Sequence, residues 1–241
     1  MSSRNRNHNR GKKSKTLKKK NPAKVLVLYT FALIVLLLAI FLINRATTGS
    51  EQDMTRVEEL PSIVNQPVIG QESAKVTMVE FGDYKCPSCK QWSEVVYPQL
   101  KAEYIDTGKM KLVFINTLFH GAESELGAIA GEAVFSQNKD LFWDFNKAMF
   151  ANQPTADHDV NWITVDKVLE VAQSVSPTID LTKLKDDIVN KTTEPSVNID
   201  TELVAKYRIN QTPTLIINGI VIHNPFDIES IKSVIDKEIG A

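Results

Sequence analysis

The stretch "KVTMVEFGDYKCPSCKQW", residues 75–92, decides how this chain is read. It opens with a short β-rich run, Lys75–Phe81, which ends in Gly82-Asp83, the pattern of a buried strand. Cys86 then stands where a helix begins. Pro87 falls at the first helical position, where its missing N–H costs nothing. Downstream, "SCKQWSEVVYPQLKAEYIDTG" carries Trp92, Val95, Val96, Leu100 and Tyr104 at helical spacing until Gly108 stops it. "KMKLVFINTLF", residues 109–119, reads as a second strand. A β-α-β unit of this length predicts two parallel strands joined by a right-handed crossover.

Cys86 and Cys89 are the chain's only cysteines. Their spacing fits a redox dithiol, half of a zinc site or a structural staple. A staple across two intervening residues closes a tiny loop, and loop-closure stabilisation shrinks with loop length. Zinc would need two further ligands. His120, His158 and His223 show no paired ligand spacing, and no second Cys-x-x-Cys exists. The redox dithiol is the favoured reading.

That reading has a mechanism. A cysteine at a helix N-terminus faces free backbone N–H groups and the positive end of the helix dipole, both of which favour thiolate. Cys86 is therefore expected to be the nucleophile, and Cys89, one turn in, the resolving thiol. Lowering a thiol from about 8.5 to the 3.5–7 of such motifs takes roughly 2–7 kcal/mol, and the dipole supplies at most about 2. The amides of Ser88 and Cys89 and the Cys89 thiol must supply the remainder. Glu80, six residues before Cys86 in an otherwise apolar strand, has two readings. It leans out at the strand end, or it is a buried carboxyl of raised pKa that moves protons to and from Cys89.

From Gly121 to about Lys191 the periodicity is helical. Candidate helices are Ser124–Gln137, Asp140–Phe150, Thr164–Ser174 and Asp180–Asn190, each opened by a capping residue. A further helix near Ser196–Tyr207 leads into "RINQTPTLIINGIVIH". There Thr214–Ile217 and Ile220–His223 flank Asn218-Gly219, a strong hairpin signal. "FDIESIKSVIDKEIG" closes the chain as an amphipathic helix with Ile228, Ile231, Val234, Ile235 and Ile239 inward.

The net charge of -1 conceals an asymmetry. Ten basic residues and no acid fall within residues 1–24, whereas from Thr47 onward 29 acids face 17 basic residues. Between them "VLVLYTFALIVLLLAIFLI", Val25–Ile43, is 19 residues without a charge. Such a helix rises about 28 Å, close to a bilayer's hydrocarbon core. The basic flank predicts a cytoplasmic N-terminus and an exported remainder. A cleaved signal peptide is the rival, although its apolar region is usually about 7–15 residues. The acidic exported part argues against nucleic-acid binding. The expected organisation is a basic tail (1–24), an anchor (25–43), a polar linker (44–65) and one domain (66–241).

Taken together, "VEFGDYKCPSCKQW", the helical insertion after the second strand and "TPTLIINGIVI" resemble the DsbA-like thiol:disulfide oxidoreductases of the thioredoxin superfamily, in particular the membrane-anchored BdbD type of Gram-positive bacteria. The resemblance implies a thioredoxin-like α/β fold with a helical insertion at about 121–192, preceded by one transmembrane helix. It implies that Cys86 exchanges with substrate sulfur, that Cys89 resolves the mixed disulfide and that Glu80 is the buried acid before the motif. Pro213 would be cis, with Thr212 offering its backbone to an extended substrate beside Pro87 and Ser88. Many DsbA proteins carry His where Ser88 stands, so the strength of oxidation depends on how Ser88 acts. Tyr84 and Trp92 read either as core or as a substrate-binding rim.

The implied function is disulfide formation in reduced exported proteins, with reoxidation by a quinone-linked membrane partner of the DsbB/BdbC type and no cofactor. A reductase or isomerase, and a non-redox binding module, are the alternatives. Asp157 and Asp159 form an acidic loop that either holds Ca²⁺ or is simply solvated.

Overall fold

The computed structural model describes residues 22–48, 54–156 and 159–240. The basic tail up to Asn21 lies outside them. The chain divides into two units, one ending at Gln52 and one running from Asp53. In the first, Pro22–Thr48 forms helix α1. Its described side chains, within Leu26–Ile40, are exposed. Among the described residues no helix is long and apolar enough to cross a membrane.

The second unit begins with short strands β1 (Met54–Arg56) and β2 (Val68–Ile69), then β3 (Val76–Gly82). Helices α2 (Pro87–Val95) and α3 (Tyr97–Leu100) and a π-turn at Lys101–Ile105 lead to β4 (Met110–Asn116). Helices α4 (Ala122–Gln137), α5 (Phe142–Asn152), α6 (Val165–Val175), α7 (Leu181–Val189) and α8 (Glu194–Lys206) follow. Strands β5 (Thr214–Ile217) and β6 (Ile220–Ile222) and helix α9 (Ile228–Gly240) complete the fold. The sheet order is β1-β6-β5-β3-β4-β2. Strands β3 and β4 are parallel as expected, and every other pair is antiparallel.

The register sorts the core. In β3, Val76 and Met78 share a face with Met110 and Leu112 of β4, and this face packs with Trp92, Leu100, Ile231 and Ile235. Val79, Phe81, Val113, Ile115 and Ile216 cover the opposite face together with Leu203 of α8. Toward the C-terminal ends of β3 and β4, Phe114, Tyr84 and both cysteines join the core of the helical insertion. Tyr84 and Trp92 are 2% and 1% exposed, so both are core rather than rim. Asn218 and Gly219 turn the β5–β6 hairpin with φ of 43° and 88°, as the dipeptide predicts.

Several elements differ from their sequence patterns. The helix after Cys86 is not continuous to Gly108. Pro98 has no N–H to donate to Glu94, so α2 ends at Val95 and a second helix begins. The second strand stops at Asn116, and residues 117–121 form a loop into α4. The stretch 44–65, expected to be linker, contains β1, whose backbone completes the otherwise open edge of β6. Thr164 and Asp180 cap α6 and α7 through their side chains, whereas α4 starts after Gly121 with no side-chain cap. Asn138 caps a 3₁₀ turn that precedes α5.

Candidate active site

Strand β3 delivers the motif to the edge of the core. Gly82 carries its backbone against the Phe114 ring, where an added Cβ would lie 2.5 Å from Cε2. Cys86 is the N-cap of α2, with φ −72° and ψ 121°, and Pro87 follows at the first helical position. Cys89 has no exposure, and Cys86 is 7% exposed. Both are free thiols.

The surroundings separate the two sulfurs in acidity. The Cys86 thiol is lowered from 9.0 to about 5, chiefly by the hydrogen bond from the Cys89 thiol. Burial opposes this, and the Thr212 hydroxyl and the backbone N–H groups of Cys89 and Ser88 assist. When protonated, Cys86 Sγ donates to the Thr212 carbonyl at 3.4 Å. Ser88 acts on the sulfur through its backbone amide. Burial and the negative charge that develops on Cys86 push Cys89 the other way.

Thr212-Pro213 is a cis peptide, and its carbonyl lies against the nucleophile. Glu80 is 2% exposed, so it does not lean out to solvent. Burial raises its pKa to about 8, and its Oε1 has no hydrogen-bond partner among the described residues. Its charge is felt at Cys89. Pro87 and Ser88 line a shallow cleft of about 280 Å³ with Lys90, Gln91, Glu94 and Thr155. The structure thus brings Glu80, Cys86, Cys89 and Thr212 together and places Pro87 and Ser88 at the surface beside them.

Other contacts at the motif carry no local sequence signal. Gln153, just past α5, donates to the carbonyls of Tyr84 (2.9 Å) and Cys86 (3.2 Å). Lys90 donates to the carbonyls of Ala151 and Gln153, docking α2 on the end of α5. Lys85, next to Cys86, forms a nearly buried ion pair with Glu123 at 2.7 Å. Glu123 also accepts from the amides of Trp162 and Ile163. Asn146 donates to the Tyr84 hydroxyl. These partners lie some 40–70 residues from the motif, so no spacing reveals them.

A second buried polar group joins the sheet to α4 and α8. Asp200 accepts from the Asn116 amide nitrogens, main-chain and side-chain, and from Gln66; Glu132 also accepts from Asn116. Burial raises Glu132 to about 8 and Asp200 to about 6. Among the described residues, no three His, Cys, Asp or Glu side chains gather to hold a metal ion. Asp157 lies outside the described residues, so the proposed Ca²⁺ loop at Asp157 and Asp159 is not located.

Comparison with known proteins agrees with this geometry. Residues 62–237 match the thioredoxin family. The chain is 40% identical over 190 residues to disulfide bond formation protein D of Bacillus subtilis, covering 79% of this chain and 84% of that one. The crystal structure of oxidised BdbD from Bacillus subtilis superposes with a TM-score of 0.74 at 39% identity, covering 77% of this chain and 99% of that one. Chlamydia trachomatis DsbA shares the fold, with a TM-score of 0.65 at 18% identity over 76% of this chain and 96% of that one.

Proposed function

Because this chain belongs to the thioredoxin family, its paired sulfurs set the chemistry, and we propose that it is a thiol:disulfide oxidoreductase that introduces disulfides into exported proteins. The observation that carries the reading is the asymmetric dithiol: Cys86 caps the N-terminus of α2 and keeps 7% exposure with its pKa lowered to about 5, whereas Cys89 behind it has no exposure. A thiolate stabilised in the reduced form makes the disulfide a stronger oxidant.

With the dithiol oxidised, a substrate thiolate attacks Cys86 Sγ. The Cys86–Cys89 bond breaks and Cys89 leaves with the electron pair. In this reading Glu80, whose carboxyl burial favours in the protonated form and whose charge is felt at Cys89, gives Cys89 its proton. A second substrate thiolate then attacks the substrate sulfur of the mixed disulfide and expels Cys86 as thiolate. The substrate loses two electrons and the protein dithiol gains them, so the exchange needs no cofactor. The Thr212 carbonyl and the cleft at Pro87 and Ser88 are where an extended client chain would lie.

The apolar run Val25–Ile43 and its basic flank support an uncleaved anchor, with the N-terminus cytoplasmic and the domain outside the cell membrane. The single Cys86–Cys89 dithiol is left reduced after each exchange, which supports reoxidation by a quinone-linked membrane partner. The test is oxidation of a reduced two-cysteine peptide by the full chain. Wild type is expected to form the peptide disulfide stoichiometrically, and Cys86→Ala is expected to abolish it. A dithiol potential near about -270 mV, that of a reductase, would overturn the direction.

A further inference from the structure

Asp83 lies three residues before Cys86 and three after Glu80, yet the exchange as described leaves it unused. Its side chain has no exposure, and a buried carboxylate persists only when its oxygens are satisfied. Here four donors reach it. Oδ1 accepts from the Lys85 amide at 2.9 Å. Oδ2 accepts from the Phe119 amide at 3.0 Å, the Ser124 hydroxyl at 2.9 Å and His120 Nδ1 at 2.7 Å. Three of those donors belong to the loop and first turn that open the helical insertion. The carboxylate thus ties the active-site turn to the insertion.

The main chain of the same residue touches both cysteines. Its carbonyl accepts from the Cys86 amide at 3.0 Å, and its own N–H donates to Cys89 Sγ at 3.5 Å. Burial, the Cys86 sulfur and Glu80 disfavour charge on Cys89, whereas the Asp83 N–H favours it. When the disulfide opens, the electron pair arrives on Cys89, so a fixed donor at that sulfur stabilises the transition state relative to the intact disulfide, in which the sulfur carries no charge.

We propose that Asp83 is a positioning residue for the resolving cysteine, its four-fold-bonded carboxylate holding the backbone N–H on Cys89 Sγ while the S–S bond breaks or re-forms. The inference deepens the disulfide-exchange reading and rests on it. The bond changes are those already written: glutathione thiolate attacks Cys86, Cys89 leaves as thiolate, and the reverse reaction has Cys89 attack the mixed disulfide and expel glutathione.

The experiment follows both steps in the full chain, using reduced glutathione on the oxidised protein and quenching to count the mixed disulfide. Asp83→Asn keeps the shape but presents an NH₂ to groups that are themselves donors. It is expected to slow glutathione attack and Cys89 resolution at least tenfold, while the Cys86 titration midpoint stays near that of wild type. Ser124→Ala and His120→Phe, each removing one donor, are expected to slow both steps by twofold or more. Unchanged rates in a folded Asp83→Asn protein would overturn the inference. So would a Cys86 midpoint that moves with the rates, since that marks general loosening. If Asp83→Asn does not fold, the Ser124 and His120 variants decide in the same way. Failure of wild type to oxidise the two-cysteine peptide would instead sink the functional reading itself.

Discussion

The Cys89 thiol is the largest single source of Cys86 acidity, and removing it makes a sharp prediction. A hydrogen bond to a charged group contributes about 1.5–3 kcal/mol, which at 1.36 kcal/mol per unit is about 1–2 pKa units. With Cys86 at about 5, Cys89→Ala should raise the midpoint by about 1–2 units. Cys89→Ser leaves a hydroxyl donor in place and should raise it by less. The assay is the ultraviolet thiolate absorbance of the reduced single-cysteine proteins against pH, checked by the pH dependence of iodoacetamide alkylation. Wild type serves as the reference, with Cys86 alone titrating in the acid range because Cys89 is pushed upward. The reasoning fails if the alanine variant still titrates at the wild-type midpoint. The helix terminus and the Ser88 and Cys89 amides would then carry the whole effect. It fails equally if serine and alanine shift the midpoint alike, because the donor and not the sulfur volume is held responsible.

Glu80 should couple stability to pH. Its pKa is raised from 4.5 unfolded to about 8 folded, so its contribution is whole below about 4.5 and declines as pH rises toward 8. Glu80→Gln should therefore flatten the fall in urea-unfolding free energy between pH 5 and 8 by roughly 2–4 kcal/mol; parallel curves for the two proteins would refute the burial argument. Glu132 and Asp200, also raised by burial, lower stability in the same direction and remain in both proteins. Lys85 and Glu123 form a nearly buried pair. Glu123→Gln should cost about 1.5–3 kcal/mol in urea unfolding, because Lys85 loses its carboxylate and keeps the Val160 carbonyl, and a Lys85→Met/Glu123→Met double variant should recover part of the loss. Gly82→Ala would drive a Cβ into the Phe114 ring and should lower stability by about 1–3 kcal/mol or more. A neutral result in thermal unfolding would mean that β3 and β4 separate more readily than their register implies.

Much of the fold is local and therefore legible. Alternation and β-branching mark β3, β4, β5 and β6, Asn218-Gly219 marks the hairpin, and Pro87 marks the start of α2. Helix ends were less legible. The Pro98 break is visible in composition, but the π-turn that follows it depends on packing of Tyr104 and Ile105 into the core. Strand β1 was hidden because its three residues have no period of their own and exist by pairing with β6. At the site, the identity and order of Cys86, Pro87, Ser88 and Cys89 are in the sequence, as is the oddity of a carboxylate at Glu80.

By itself, then, the chain's sequence determined the dithiol, its helix-terminal setting and the order of strands and helices, because these depend on contacts within a few residues. Only the tertiary structure decided which groups surround the sulfurs. It placed the Thr212 carbonyl on Cys86, sealed Glu80 from water, and closed Gln153, Lys85–Glu123 and the Asp83–His120–Ser124 cluster around the turn. Those partners are brought together across 36 to 126 residues of chain. Hydrogen bonds and burial act through space, and neither leaves a spacing that can be read along the chain.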